Sequence, residues 1–374
     1  MTAILATSKI HTLLEDAKHF AALLFESAAQ IDDKANIPPE IWASLRESGL
    51  AMAAFPEEVG GAGLCYSSRQ IVLCNVLRLI GAGDLSFGRL FEGHINAISL
   101  VVRYGTQSQV RQFADQVAAG AFSGVWGADD AAGLHLVSSN TGKMLQGRKI
   151  LASGAGFIAL PVVTVKNLNE QIMCLLTLSL DEPVDLGGWQ AQGMKSTATG
   201  AIELSGTVIR PESIIGSAGD FMRQPYFSGG AWRFCAVHLG AIEKLVDLFR
   251  DHLVARGRGQ DPFQLQRLAH CVASAKTGLY WVEEAARRLS NEESSDCHNT
   301  VAFANLTRMV TERCALDVME SVQRGIGLAS FVRPNPVERI SRDLSTYLRQ
   351  PVPDLAMSDA AKAFLASQIS IREF

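Results

Sequence analysis

Few residues in this chain are spaced for chemistry, and their spacing excludes more than it offers. The seven cysteines, Cys65, Cys74, Cys174, Cys235, Cys271, Cys297 and Cys314, form no CxxC pair and are odd in number. They fit neither a zinc site nor a disulfide framework, and they read as small buried apolar residues with an occasional exposed thiol. No metal is expected. Gly60, Gly61 and Gly63 could cradle a phosphate, but they do not follow a strand and open a helix, so a nucleotide loop is excluded and a structural loop remains. The titratable side chains left over are dispersed: Asp129 and Asp130, His94 in "FEGHINAISL", and Asp354. The stretch "RISRDLSTYLRQPVPD", Arg339 to Asp354, carries no Glu after Arg342. It stops a helix on Pro351 and Pro353, because a residue before proline avoids the α region and two prolines spaced by one favour extended chain.

The elements that must hold these residues fall into three textures. Residues 1–115 read as helices, with apolar residues at helical spacing in "HTLLEDAKHFAALLFESAAQID" and prolines opening "IPPEIWASLRESGL". Residues 116–218 carry short β-type runs such as "FSGVWGAD", "ALPVVTVKN" and "AIELSGTVIRP", bounded by Gly, Asn, Pro and Ser, which predict a small antiparallel sheet or barrel. Residues 219–374 return to long amphipathic segments, four of them, which predict a bundle. The fold class expected is therefore α+β. At 374 residues and 48% hydrophobic content the chain is globular. A net charge of −4 without a basic block argues against nucleic acid, and no apolar run reaches the roughly 20 residues of a membrane span. The amphipathic N-terminus lacks a signal peptide's apolar core, so the expectation is a cytoplasmic enzyme or binding protein.

Four pieces of text in order, "IPPEIWASLRESGLAMAAFPEEVGGAGL", "GRKILASGAG", "GMKSTATGAIELSGTVI" and "ERISRD", resemble the acyl-CoA dehydrogenase family over nearly the whole chain. The resemblance implies an FAD enzyme, with flavin between the β domain and the bundle and partly bridging two subunits. It implies an acyl-CoA or acyl-carrier substrate, a homodimer or homotetramer, and an electron-transfer partner. Val125, Trp126 and Gly127 match the strand whose backbone meets the flavin's pyrimidine edge, although Trp126 could equally be core. Leu151 and Ser153 match an aromatic residue and a hydroxyl beside the ring; the plain alternative for Ser153 is a turn residue. Gly325 and Gly327 match a Gly-rich turn near a neighbouring subunit's FAD, or serve as a helix cap. Arg258 and Arg324 stand where the family has an aromatic residue and a glycine; they would meet a pyrophosphate or be solvated charges. The bundle's apolar residues Phe234, Leu245, Leu248 and Phe249 suggest an oligomer.

The departures concern the base. The family's catalytic Glu stands eight residues after the Asp of "RD", and eight residues after Asp343 is Pro351. Some members carry the base on the first bundle helix, which here lands near Gly230 and Ala231. No carboxylate occurs between Asp220 and Glu243. Either another residue serves, with Asp354, Asp129, Asp130 and His94 as candidates, or the reaction is not α,β-dehydrogenation. The readings are an FAD-dependent oxidoreductase of acyl-CoA dehydrogenase type with its usual Glu replaced, a flavin-dependent monooxygenase on the same fold, or a non-catalytic subunit of a hetero-oligomeric flavoprotein.

Overall fold

The computed structural model describes residues 2–140, 142–181, 184–290 and 297–374, with side chains from residue 9 onward. Five helices come first: α1 (Thr2–Lys34), α2 (Pro39–Glu47), α3 (Gln70–Gly83), α4 (Leu85–Tyr104) and α5 (Gln107–Ala118). Ten short strands follow: β1 (Ser123–Trp126), β2 (His135–Ser139), β3 (Gly142–Gln146), β4 (Arg148–Ala152), β5 (Leu160–Asn167), β6 (Glu170–Leu175), β7 (Val184–Asp185), β8 (Gly200–Glu203), β9 (Val208–Ile209) and β10 (Ile214–Ile215). The chain then returns to helix in α6 (Tyr226–Gly229), α7 (Trp232–Ala255), α8 (Pro262–Ser290), α9 (Cys297–Ile326), α10 (Pro336–Tyr347) and α11 (Pro353–Ser367).

The β region differs from a purely antiparallel sheet. Seven strands form one sheet along the path β10-β6-β5-β2-β3-β9, and β4-β8-β7 form a second. β1 joins the first sheet by pairing parallel with β5, from Ser123 against Leu160 to Trp126 against Val163. β5 is buried along "LPVVTV" and has strand neighbours on both edges. β1, in contrast, has a ladder partner on one edge only among the described residues.

The helical parts meet where small residues let backbones touch. α3 crosses α7 at Gly81 and Gly240. A Cβ on Gly81 would lie 2.1 Å from the carbonyl oxygen of Val237, and one on Gly240 would lie 1.9 Å from that of Arg78. Any side chain there would push the helices apart. Arg78 and Glu243 fasten the same crossing at 2.7 Å. The apolar residues of α7 that suggest an oligomer are consumed inside the chain: Leu245 and Phe249 are fully buried, and Phe234 and Leu248 pack against the core. Exposed apolar side chains do occur on α8 (Phe263, Val272, Tyr280) and just after α9 (Leu328, Phe331, Val332).

α10 is the junction of all three regions. Arg342 grips Asp32 at the end of α1 with both terminal nitrogens, at 3.1 and 2.7 Å, and gives its Nε to Glu338 at 2.8 Å. Arg339 donates to Asp84 at 3.1 Å. Asp84 also caps α4 by accepting from the Phe87 N–H. Asp343 accepts the Met194 N–H at 2.7 Å, which ties the β region to the same helix. Gly193 allows that approach, since a Cβ there would lie 2.4 Å from the Arg342 carbonyl oxygen.

Removing one member of such a buried ion pair strands the other charge, at a cost of about 3–5 kcal/mol. Arg342→Met should therefore lower the urea midpoint by that equivalent. A variant as stable as the parent within about 1 kcal/mol would show that the clamp does not hold the regions together.

Candidate functional site

A cavity of about 520 Å³ lies between α4, the α6–α7 entry, α9 and the turn after α10. Its apolar wall is aromatic: Tyr104, Phe221, Tyr226, Phe227 and Phe234. Val125 of β1 closes one side, and Gln350, Pro351 and Val352 close another. The turn differs from the extended chain that its prolines suggest. α10 ends at Tyr347, Val352 takes a left-handed conformation (φ 48°), and Pro353 opens α11 as its first residue. A β-branched residue at positive φ is strained, and such strain persists only where the surroundings enforce it. Here Arg308 donates to the Pro351 carbonyl at 2.7 Å, and Arg349 pairs with Glu312 at 2.6 Å.

Pro351, Gly230 and Ala231 all line this cavity. The two places where a base was expected thus converge on one space, and none of the three side chains binds a proton. The other candidates lie elsewhere. Asp129 accepts from the buried Lys149 at 2.5 Å, and Asp130 pairs with Arg148 at 2.6 Å. Asp354 is exposed in the first turn of α11. His94 is a core residue: its Nε2 donates to the Ala51 carbonyl at 2.8 Å and its Nδ1 accepts the Ser123 N–H at 3.1 Å. The ring stacks on Phe122 with centroids 4.3 Å apart. Burial pulls its pKa down to about 4, so it is neutral and fully engaged. Cys65 lines the cavity, but burial pushes its thiol to about 12, and it is no nucleophile at neutral pH.

The carboxylate that does line the cavity, alone of its kind among the described residues, is Glu92. Arg89 donates to its Oε2 at 2.9 Å, and the Asn96 amide donates to its Oε1. Asn96 Oδ1 in turn accepts from Arg233 Nε at 2.6 Å. Arg103, Arg233 and Arg308 bring three cations to the lining. Arg103 stacks on Tyr226 at 3.5 Å. Sequence reasoning passed over this set, although a signal exists. Glu92, Asn96, Ser99 and Arg103 recur at intervals of four, three and four in α4. That places a polar stripe along one face of an otherwise apolar, buried helix.

The residues assigned to a cofactor separate into two groups. Val125, Trp126, Gly127, Leu151 and Ser153 come together at the β1–β4 face. Trp126 is buried and donates its Nε1 to the Ser153 carbonyl at 3.0 Å, so its side chain braces the turn. Ser153 Oγ accepts from Thr199 at 3.2 Å. Leu151 is left-handed (φ 50°) and 62% exposed, an apolar side chain held out from the sheet. An unpaired strand edge, an outward apolar residue and a hydroxyl suit a flat ring with one polar edge. The second group lies at the start of α8 and the end of α9. Arg258 pairs with Asp261 at 2.7 Å and Arg324 with Glu320 at 3.0 Å. Gly325 is buried where a Cβ would meet the Phe249 ring at 2.3 Å, a packing role. Gly327 (φ 81°) and Arg324 line a shallow groove of about 820 Å³. Among the described residues no cluster could hold a metal ion, and no helix is long and apolar enough to cross a membrane.

The family model for the acyl-CoA dehydrogenase N-terminal domain matches residues 7–121. The human mitochondrial very long-chain specific acyl-CoA dehydrogenase is 20% identical over 369 residues, covering 90% of this chain and 56% of its own. A dibenzothiophene monooxygenase of Rhodococcus erythropolis is 25% identical over 250 residues, covering 60% of this chain and 58% of its own. The chain thus spans little more than half the length of these two relatives. The solved dibenzothiophene monooxygenase of Paenibacillus sp. A11-2 shares the fold with a TM-score of 0.83 at 17% identity, over 96% of this chain and 98% of that one. That enzyme has also been solved with FMN bound.

The buried His94 makes acid sensitivity testable. Its pKa is about 4 when folded and about 6.5 when unfolded, so the unfolded chain takes up a proton that the folded one refuses. Stability falls as pH drops from about 6.5 towards 4. His238, pulled down to about 3 by burial, acts in the same direction. His94→Gln should be less stable throughout but lose up to one proton, about 1.4 kcal/mol per pH unit, from the slope between pH 6 and 4.5. Urea midpoints across that range measure it; parallel slopes would contradict the buried neutral ring.

Proposed function

We propose that the chain is a divergent member of the acyl-CoA dehydrogenase family and a flavin-dependent oxidoreductase working on the oxygenase side of that fold. One observation carries the reading: the cavity presents Pro351, Gly230 and Ala231 where a base that takes an α-proton would stand. A positioned general base contributes about 10²–10⁴-fold to such a proton transfer. Chemistry that oxygenates a substrate with reduced flavin needs no such base. When bound, a reduced flavin supplies two electrons, so that one oxygen atom enters the substrate and the other leaves as water.

The chain's own residues then have definite tasks. The edge of β1 at Val125 and Trp126 and the following Gly127, with Leu151 and Ser153, would hold the ring. Phe221, Tyr226 and Phe234 exclude water from the space next to Val125. Arg308 fixes the Pro351–Val352 turn as the opposite wall. The groove at Arg324 and Gly327 is where the adenylate half of an FAD from a second copy would lie. FMN needs no such groove. The exposed apolar residues of α8 suit a contact with that copy.

A second reading has its own observation. Glu92 lines the cavity, and a dehydrogenase acting on an acyl thioester could use it as the base. Its ion pair with Arg89 and its bond from Asn96 oppose this, since both oxygens are engaged.

The purified protein should hold flavin, and heat release followed by chromatography identifies FMN or FAD. Straight-chain acyl-CoAs without oxygen should leave the flavin yellow. NADH with a flavin reductase should drive oxygen uptake that a bound organic substrate increases. Pro351→Glu should gain bleaching by acyl-CoA. Bleaching of the native protein at ordinary dehydrogenase rates, lost in Glu92→Gln, would establish the second reading instead.

A further inference from the structure

The cavity inverts the charge expected of its position. Gly230 lies where some family members place a carboxylate base, and the guanidinium of Arg233 lies against it: a Cβ on Gly230 would meet Arg233 Nη2 at 2.4 Å. A cation therefore occupies the neighbourhood of an absent anion. Arg233 is also held by a chain of neighbours rather than neutralised. Its Nε donates to Asn96 Oδ1 at 2.6 Å; the Asn96 amide donates to Glu92, and Arg89 donates to Glu92 at 2.9 Å. Glu92 thus fixes which way the Asn96 amide faces, and Asn96 fixes the edge of the guanidinium that it receives. The remaining edge, Nη1 and Nη2, makes no hydrogen bond to another described residue. Among the described residues no carboxylate pairs with Arg233, whereas the buried arginines of α10 are paired. Burial pulls the Arg233 pKa down to about 10, which reflects a charge poorly compensated by the protein. Arg308 lines the same space and adds to its positive potential.

We propose that Arg233, oriented by Asn96 and Glu92, is a subsite for the oxyanion of a small organic acid, a planar or pyramidal group with two equivalent oxygens such as a carboxylate or sulfinate. A guanidinium with one edge anchored presents the other as a two-pronged donor, the geometry that such a group accepts. The aromatic wall takes the apolar remainder, and at about 520 Å³ the cavity suits a small molecule. The inference rests on the proposed function only in treating the cavity as the substrate's space. Its test is equilibrium binding without turnover, so the two fail independently.

The probes are hexanoate, hexanesulfinate and inorganic phosphate, with hexanamide as the neutral counterpart, titrated into the purified protein by calorimetry. Hexanoate or hexanesulfinate should bind at least about tenfold more tightly than hexanamide, the discrimination expected of one charge-assisted pair. The tighter of the two identifies the acid class, and phosphate binding as tightly as either would overturn the need for an apolar tail. Arg233→Met should remove the preference over the amide while leaving hexanamide binding within about twofold. Asn96→Leu, which frees the anchored edge, should weaken the anion by an intermediate factor. Equal binding of hexanoate, hexanesulfinate and hexanamide by the parent protein overturns the proposal. That comparison needs no variant, so it decides even if Arg233→Met does not fold.

Discussion

Arg342 is the point on which the arrangement depends. Buried ion pairs are costly to desolvate and earn their place by geometry rather than by net attraction. Arg342 meets that condition: Asp32 takes both terminal nitrogens and Glu338 takes Nε. Arg339 on the preceding turn of the same helix holds Asp84, the residue that caps α4. Asp343 holds the backbone at Met194. One helix of 12 residues therefore fixes the end of α1, the start of α4 and the β region relative to one another. The cavity is a consequence. α4 supplies one wall from its capped start, and the chain leaving α10 supplies the opposite wall at Gln350–Val352.

With the walls fixed, charge decides what the space can do. Both expected base positions face it without an acid, a guanidinium lies beside one of them, and the lone lining carboxylate among the described residues is committed to Arg89 and Asn96. Among the described residues, proton abstraction from carbon has no prepared acceptor there. The same layout favours an anion at Arg233, which pairs with no carboxylate among the described residues. The scaffold is common to dehydrogenases and oxygenases, so the polar residues of α4 and the start of α7 carry the distinction.

Much of this was legible in the residues. The order helices, strands, helices follows from the change in hydrophobic period, and the count of eight from Asp343 led to a residue that does line the cavity. Other parts were not legible, for physical reasons. His94 looked available because sequence does not show that its two nitrogens meet Ala51 and Ser123 in the interior. The parallel pairing of β1 with β5 is non-local and leaves no local pattern. Leu245 and Phe249 looked like an oligomer surface because an all-round apolar helix reads the same whether covered by its own chain or by another. Glu92, Asn96 and Arg233 do not stand out in sequence because a carboxylate there reads as a free acid, while the structure uses this one to orient an amide and, through it, a cation.

The central claim is that the described residues of this cavity include no group poised to remove an α-proton, and α-proton exchange measures it without requiring oxidation. The flavin-loaded protein is incubated with butyryl-CoA in deuterated buffer without oxygen, and the thioester is then analysed by mass spectrometry. The account predicts no deuterium at the α-carbon beyond that found in a protein-free control. Rapid exchange catalysed by the native protein would contradict it, because some residue of this cavity would then be acting as the base.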